Sequence, residues 1–169
     1  MPKSLRTQSN SAVTLSVLDR LMDEDPKSPS VEAPLTRAES VRALRAGVRR
    51  DLEWLLNTRR NPDEPGTALV ETQKSVFTYG LPDFSTYAIA SPQDQAKLVR
   101  VLQAAVKLFE PRLANVRVMP IEISPKGLRT MRIRIEGLLL MDPAPEHVSF
   151  DTMLQLTTGD FRVKDDINA

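Results

Sequence analysis

Apolar positions along the chain follow two periods. Val41, Leu44, Val48, Leu52 and Leu55 are spaced 3, 4, 4 and 3 apart, which sets them on one face of a helix. Thr36-Arg37-Ala38-Glu39 precedes them as a capping box, so a helix is predicted from there to about Asn57, with Pro62 blocking continuation. Leu98, Val101, Leu102, Ala105, Leu108 and Phe109 mark a second apolar face, widened by Val99 and Val106. That helix opens at Ser91 as N-cap with Pro92 in the first turn, and must end near Pro111. A shorter run, Val13, Leu15, Val17, Leu18, Leu21 and Met22, predicts an amphipathic helix over roughly 11–23.

After Pro111 the period changes to two. Val116-Arg117-Val118 and Ile121-Glu122-Ile123 alternate, with Met119-Pro120 between them, and a proline there predicts an edge strand or a bulge. Pro125-Lys126-Gly127 turns the chain. Met131–Glu136 alternates with one wet face, and Leu138–Met141 continues it into a buried stretch. Asp142-Pro143-Ala144-Pro145 turns again, Val148–Asp151 and Met153–Leu156 follow, and Thr158-Gly159-Asp160 leads into Phe161–Val163. Helices followed by strands predict an α+β fold with a mostly antiparallel sheet.

Between the two long helices, residues 61–91 read as a loop with little regular structure. Loops of this length are often functional. Phe77, Tyr79 and Phe84 predict that it packs back onto the domain. Asp23–Ser30, with its two prolines, reads as a linker, and residues 1–10 as a disordered start. The expected organisation is a flexible segment 1–35 carrying a short tethered helix, one domain over 36–165, and a tail at 166–169.

Composition narrows the chemistry. The 169 residues carry 23 Lys+Arg against 22 Asp+Glu, a balance that argues against a general nucleic-acid binder. There is no Cys, so no disulfide framework or thiolate, and one His, so no His-pair metal site. No cofactor is expected. No stretch approaches the ~18 apolar residues of a membrane span, and the first residues lack a signal peptide's apolar core, which predicts a cytoplasmic chain without direct membrane insertion.

Candidate chemical groups are few. His147 sits in a turn before a strand and reads as a surface histidine. Asp51, Glu53, Glu110, Glu122 and Glu136 are the carboxylates from which a hydrolase pair would come, but no spacing singles one out. From Thr36 to Arg60 there are seven Arg against Glu39, Asp51 and Glu53. Arg42, Arg45 and Arg49 form a cationic stripe that reads as a solvated helix face or as a dock for an acidic partner. Trp54, off the apolar stripe, closes the core's edge or anchors an interface. Pro111 forces an abrupt corner between Glu110 and Arg112, which either pair locally or serve as a rigid two-charge recognition element.

Several segments together resemble one family. Val48–Arg59 (VRRDLEWLLNTR) resembles the signature helix of the TssE family of type VI secretion baseplate subunits. Tyr79–Phe84 (YGLPDF) resembles that family's loop, and Ser16–Leu21 its N-terminal segment. Glu110-Pro111-Arg112 matches the EPR motif of the lysozyme-like baseplate wedge family of contractile phages. The resemblance implies a fold like the interlocking domain of sheath subunits and a structural role without catalysis. It implies partners TssF, TssG and TssK in a baseplate docked at the inner membrane, and a sheath that starts on it; an open sheet edge within 148–163 or 116–123 offers a compatible way to receive TssB and TssC, by strand addition. The resemblance casts the Glu110-Pro111-Arg112 corner as partner-binding; Arg42, Arg45, Arg49 and Trp54 are further candidate contacts from the residues themselves, as a basic face and an aromatic anchor. The competing readings are a peptidoglycan hydrolase and an RNA-binding module.

Overall fold

The computed structural model describes residues 12–22, 34–84, 87, 91–124, 130–155 and 158–165. The expected disordered start, the linker after Met22, the turn at Pro125-Lys126-Gly127 and the tail after Asp165 lie outside the described residues. Helices α1 (Val17–Leu21), α2 (Arg37–Asn57) and α3 (Pro92–Phe109) precede strands β1 (Leu113–Ser124), β2 (Thr130–Leu139), β3 (Glu146–Gln155) and β4 (Asp160–Asp165). The strands form one antiparallel sheet in the order β1-β2-β3-β4. This is the α+β architecture that the change of period predicts.

α2 begins where its capping box places it. The Thr36 hydroxyl accepts the Glu39 N–H, and the Glu39 carboxylate returns a bond to the Thr36 N–H. Leu44, Val48, Leu52, Leu55 and Leu56 face the sheet, and Leu98, Leu102, Ala105 and Val106 of α3 join them. From the sheet, Val116, Val118, Met131, Ile133, Ile135, Val148, Phe150, Leu154, Phe161 and Val163 meet these helices. Burying a leucine-sized side chain contributes about 1.5–3 kcal/mol, so this single layer of contact holds helices to sheet.

At α1 the structure differs from the pattern, and at Pro120 it has both the edge strand and the bulge that the proline predicts. α1 is five residues long rather than spanning 11–23: Val13 and Leu15 lie before it and pack on the core, while extended Ser16 caps a short helix with its side chain. None of α1's own residues is buried, so the apolar run had no helical face to fill. The two short segments around Pro120 are one long strand, which passes the proline by shifting register between Pro120 and Glu122. Val148–Asp151 and Met153–Gln155 are both part of β3, which is paired on both sides.

The long loop holds two 3-10 turns, Thr72–Lys74 and Val76–Thr78, and then closes on the end of α2. Leu81 donates to the Thr58 carbonyl and accepts from the Arg60 N–H, both at 2.8 Å. Gly80 makes that approach feasible: its φ is +103°, and a Cβ there would overlap the Thr58 carbonyl. Tyr79 packs edge-on against Phe109, and Phe84 against Phe161. The YGLPDF segment is therefore the clasp that fixes the loop, as Tyr79 and Phe84 predict, whereas Phe77 is exposed.

Candidate functional site

The corner between α3 and β1 is the centre of a five-residue ion ladder. Pro111 ends the helical hydrogen bonding after Glu110, and the chain turns within two residues into β1. Glu110 is not displayed at this corner: it is 3% exposed. The Arg112 Nε donates to Glu110 Oε1 at 2.6 Å, and its Nη2 donates to the other carboxylate oxygen, closing a two-pronged clamp. The same Nη2 lies 2.6 Å from Asp51 Oδ2 on α2. Asp51 Oδ1 accepts from Arg50, which also pairs with Asp19 of α1 at 2.8 Å.

The ladder alternates in sign from end to end, so each charge is stabilised by opposite neighbours. The Glu110 contact, with those to Asp51, holds the Arg112 guanidinium well above the ordinary arginine range despite its burial. Burial opposes the charge on Asp19, but hydrogen bonds from the Ser16 hydroxyl and Arg50 outweigh it, and its carboxyl titrates below the usual range. Tyr79 is pushed upward, first by burial and then by the facing carboxylates of Asp51 and Glu110.

Above this ladder lies a groove of about 410 Å³, lined by Ser16, Leu18, Asp51, Trp54, Leu55, Tyr79, Phe109, Glu110, Pro111 and Arg112. Three separated sequence segments supply its walls: the VRRDLEWLLNTR helix, the YGLPDF clasp and the EPR corner. α1 supplies the rim. Its Asp19 carboxylate approaches Gly47 so closely that a Cβ there would lie 2.9 Å from it. The Val13 N–H donates to the buried Ser40 hydroxyl at 2.8 Å, so residues 12–22 lie along α2.

The cationic stripe divides on folding. Arg45 turns inward to Glu146 at 3.5 Å and Asp165 at 2.8 Å. Arg49 meets Glu53 at 3.9 Å, and Arg42 is exposed. Trp54 does not close the core: it is 50% exposed, with the Arg50 guanidinium 4.9 Å from its ring. The sequence does not mark Asp19, Arg50 or Tyr79 as site residues, and it offers Asp51 as a hydrolase candidate and a helix-face charge rather than as the partner of Arg112. Asp51 follows Val48 by three and precedes Leu55 by four, so its place on the border of the apolar stripe was the available signal for an inward-reaching charge.

On the far side of the sheet, Glu122 and Glu136 stand on the wet face as predicted, and Asp151 is held below its usual range by Arg134 and Arg132. His147 is exposed. Among the described residues no cluster of His, Asp and Glu is arranged to hold a metal ion, and no helix is long and apolar enough to cross a membrane.

The family model for the baseplate wedge protein gp25 matches residues 42–144, more than half of the chain, from the first turns of α2 to the turn before β3. No curated protein matches it.

Proposed function

The chain belongs to the family of the baseplate wedge protein gp25, and on that premise we propose that it is a TssE-type subunit of a type VI secretion baseplate. It acts there as a structural platform on which the contractile sheath starts to assemble around the inner tube. Its partners in this reading are TssF, TssG and TssK in the wedge and TssB and TssC of the sheath, in a cytoplasmic baseplate docked at the inner membrane. It has no catalytic role.

The observation that carries this reading is the convergence of the three family-like segments on one groove. Asp51, Tyr79 and the Glu110–Arg112 clamp come from separate elements and share a surface with exposed Trp54. Rigid charges beside an exposed aromatic are the composition of an interface anchor. An open sheet margin is the second requirement, because main-chain hydrogen bonds there can receive a strand from a sheath subunit.

The hydrolase reading draws no support from the carboxylates. Of the candidate carboxylates, Glu53 pairs with Arg49 and Glu122 with Arg132. Asp51 and Glu110 are both engaged by Arg112. Purification of the tagged chain from its native cells tests the proposal. Wedge and sheath subunits are expected to co-purify; recovery of neither, or clearing of purified cell walls dependent on one carboxylate, overturns it.

A further inference from the structure

The sheet has two margins, β1 and β4, and they are not equivalent. At β4 the Asn57 side chain imitates a neighbouring strand. Its Oδ1 accepts the Phe161 N–H at 2.8 Å, and its Nδ2 donates to the Phe161 carbonyl at 2.9 Å. Phe161 therefore turns both main-chain groups away from β3. The alternation of an antiparallel ladder turns those of Val163 and Asp165 the same way. α2 packs along this strand, with Asn57 at one end and Arg45 gripping the Asp165 carboxylate at the other. The protein's own helix caps this margin at Phe161 and lies beside the rest of it.

α3 packs against β1 much as α2 does against β4, but among the described residues no helix side chain bonds the β1 main chain as Asn57 bonds Phe161. Beyond Leu113, whose N–H bonds the Glu110 carbonyl, no main-chain hydrogen bond leaves β1 except to β2 among the described residues. Pro120 and the two register shifts restrict what can pair there without sealing it. On its wet face, Arg117 is exposed and stands across from Glu136 of β2 without closing to an ion pair among the described residues, and Met119 two residues on is 40% exposed.

We infer that β1 alone is the strand-accepting margin, that Asn57 locks β4 against addition, and that the incoming strand sets a carboxylate beside Arg117 and an apolar residue beside Met119. The inference rests on the strand-addition reading above and names where and with what chemistry it occurs.

Amide exchange on the full chain, with and without purified sheath subunits, tests it. Exchange over 113–124 is expected to slow by roughly tenfold or more, with 160–165 unchanged. Slowing over 160–165 instead overturns the assignment while strand addition stands. Slowing at neither margin overturns both. Slowing over 113–124 that follows the chain's own concentration makes a second copy the occupant and overturns the proposal. In Arg117→Glu the slowing is expected to shrink severalfold; an unchanged response refutes the acidic partner. In free Asn57→Ala the Phe161 amide should exchange roughly tenfold faster, and unchanged exchange removes the lock.

Discussion

Arg112 reaches back across the fold to Asp51, with 2.6 Å between Nη2 and the carboxylate oxygen. This contact joins the α3–β1 corner to the middle of α2, and through Arg50 to Asp19 of the N-terminal segment. Two guanidinium groups, those of Arg112 and Arg50, thus tie together three parts of the chain that lie around the same groove. The Arg112 charge also compensates Glu110, a carboxylate almost wholly withdrawn from water.

Arg112→Ala should destabilise the fold by about 3 kcal/mol, because it leaves Glu110 buried without a counter-charge. Arg112→Lys keeps the charge but loses the fork and should cost about half as much. Denaturant midpoints check both. If the corner also docks the wedge, Arg112→Lys should fold yet recover less TssF and TssG in co-purification. Equal recovery would leave the clamp a purely internal device.

Asp19 carries the pH dependence of the N-terminal segment. Its folded pKa is depressed, so its contribution is complete at neutral pH and is lost as pH falls through the folded value, below the ordinary aspartate range. Amide protection at Val13 should therefore fall on acidification below about pH 4. Asp19→Asn should remove that dependence and leave the core stable. A Val13 amide as protected in Asp19→Asn as in the natural chain would separate the segment from the ladder.

Gly80→Ala should lower stability by at least ~2 kcal/mol. The added Cβ meets a main-chain carbonyl rather than a flexible side chain, and the backbone is in the left-handed region. The two bonds between Leu81 and the Thr58–Arg60 segment would open first. Thermal melting and faster exchange at the Leu81 amide check this.

Trp54→Ala should change stability by no more than about 1 kcal/mol, since half the ring is in water and its Arg50 contact is partly exposed. Its effect on capture of wedge subunits should be larger, on the order of tenfold if Trp54 is a central anchor. Loss of stability without loss of capture would return the residue to a structural role.

Much of the fold was legible because local rules and tertiary demands agreed. The capping box at Thr36, the spacing from Val41 to Leu55 and the alternation from Met131 to Glu136 each satisfy a requirement that neighbours in sequence impose. Where the two disagreed, the sequence misled. The apolar run from Val13 to Met22 has helical spacing, but a surface segment held by Asp19 and Ser40 does not need a buried helical face. The Arg42-Arg45-Arg49 stripe looked uniform, yet Arg45 meets carboxylates more than a hundred positions away.

The sequence by itself determined the order of helices and strands, the clean switch from period 3.6 to period two, and the family, because each depends on the spacing of residues along the chain. Only the tertiary structure decided that Glu110 faces inward, that Arg112 clamps Asp51, and that Asn57 occupies one sheet margin. Those are meetings between distant residues, and a side chain's charge or hydrogen-bonding capacity does not specify which of many compatible partners the packed core will bring within about 3 Å of it.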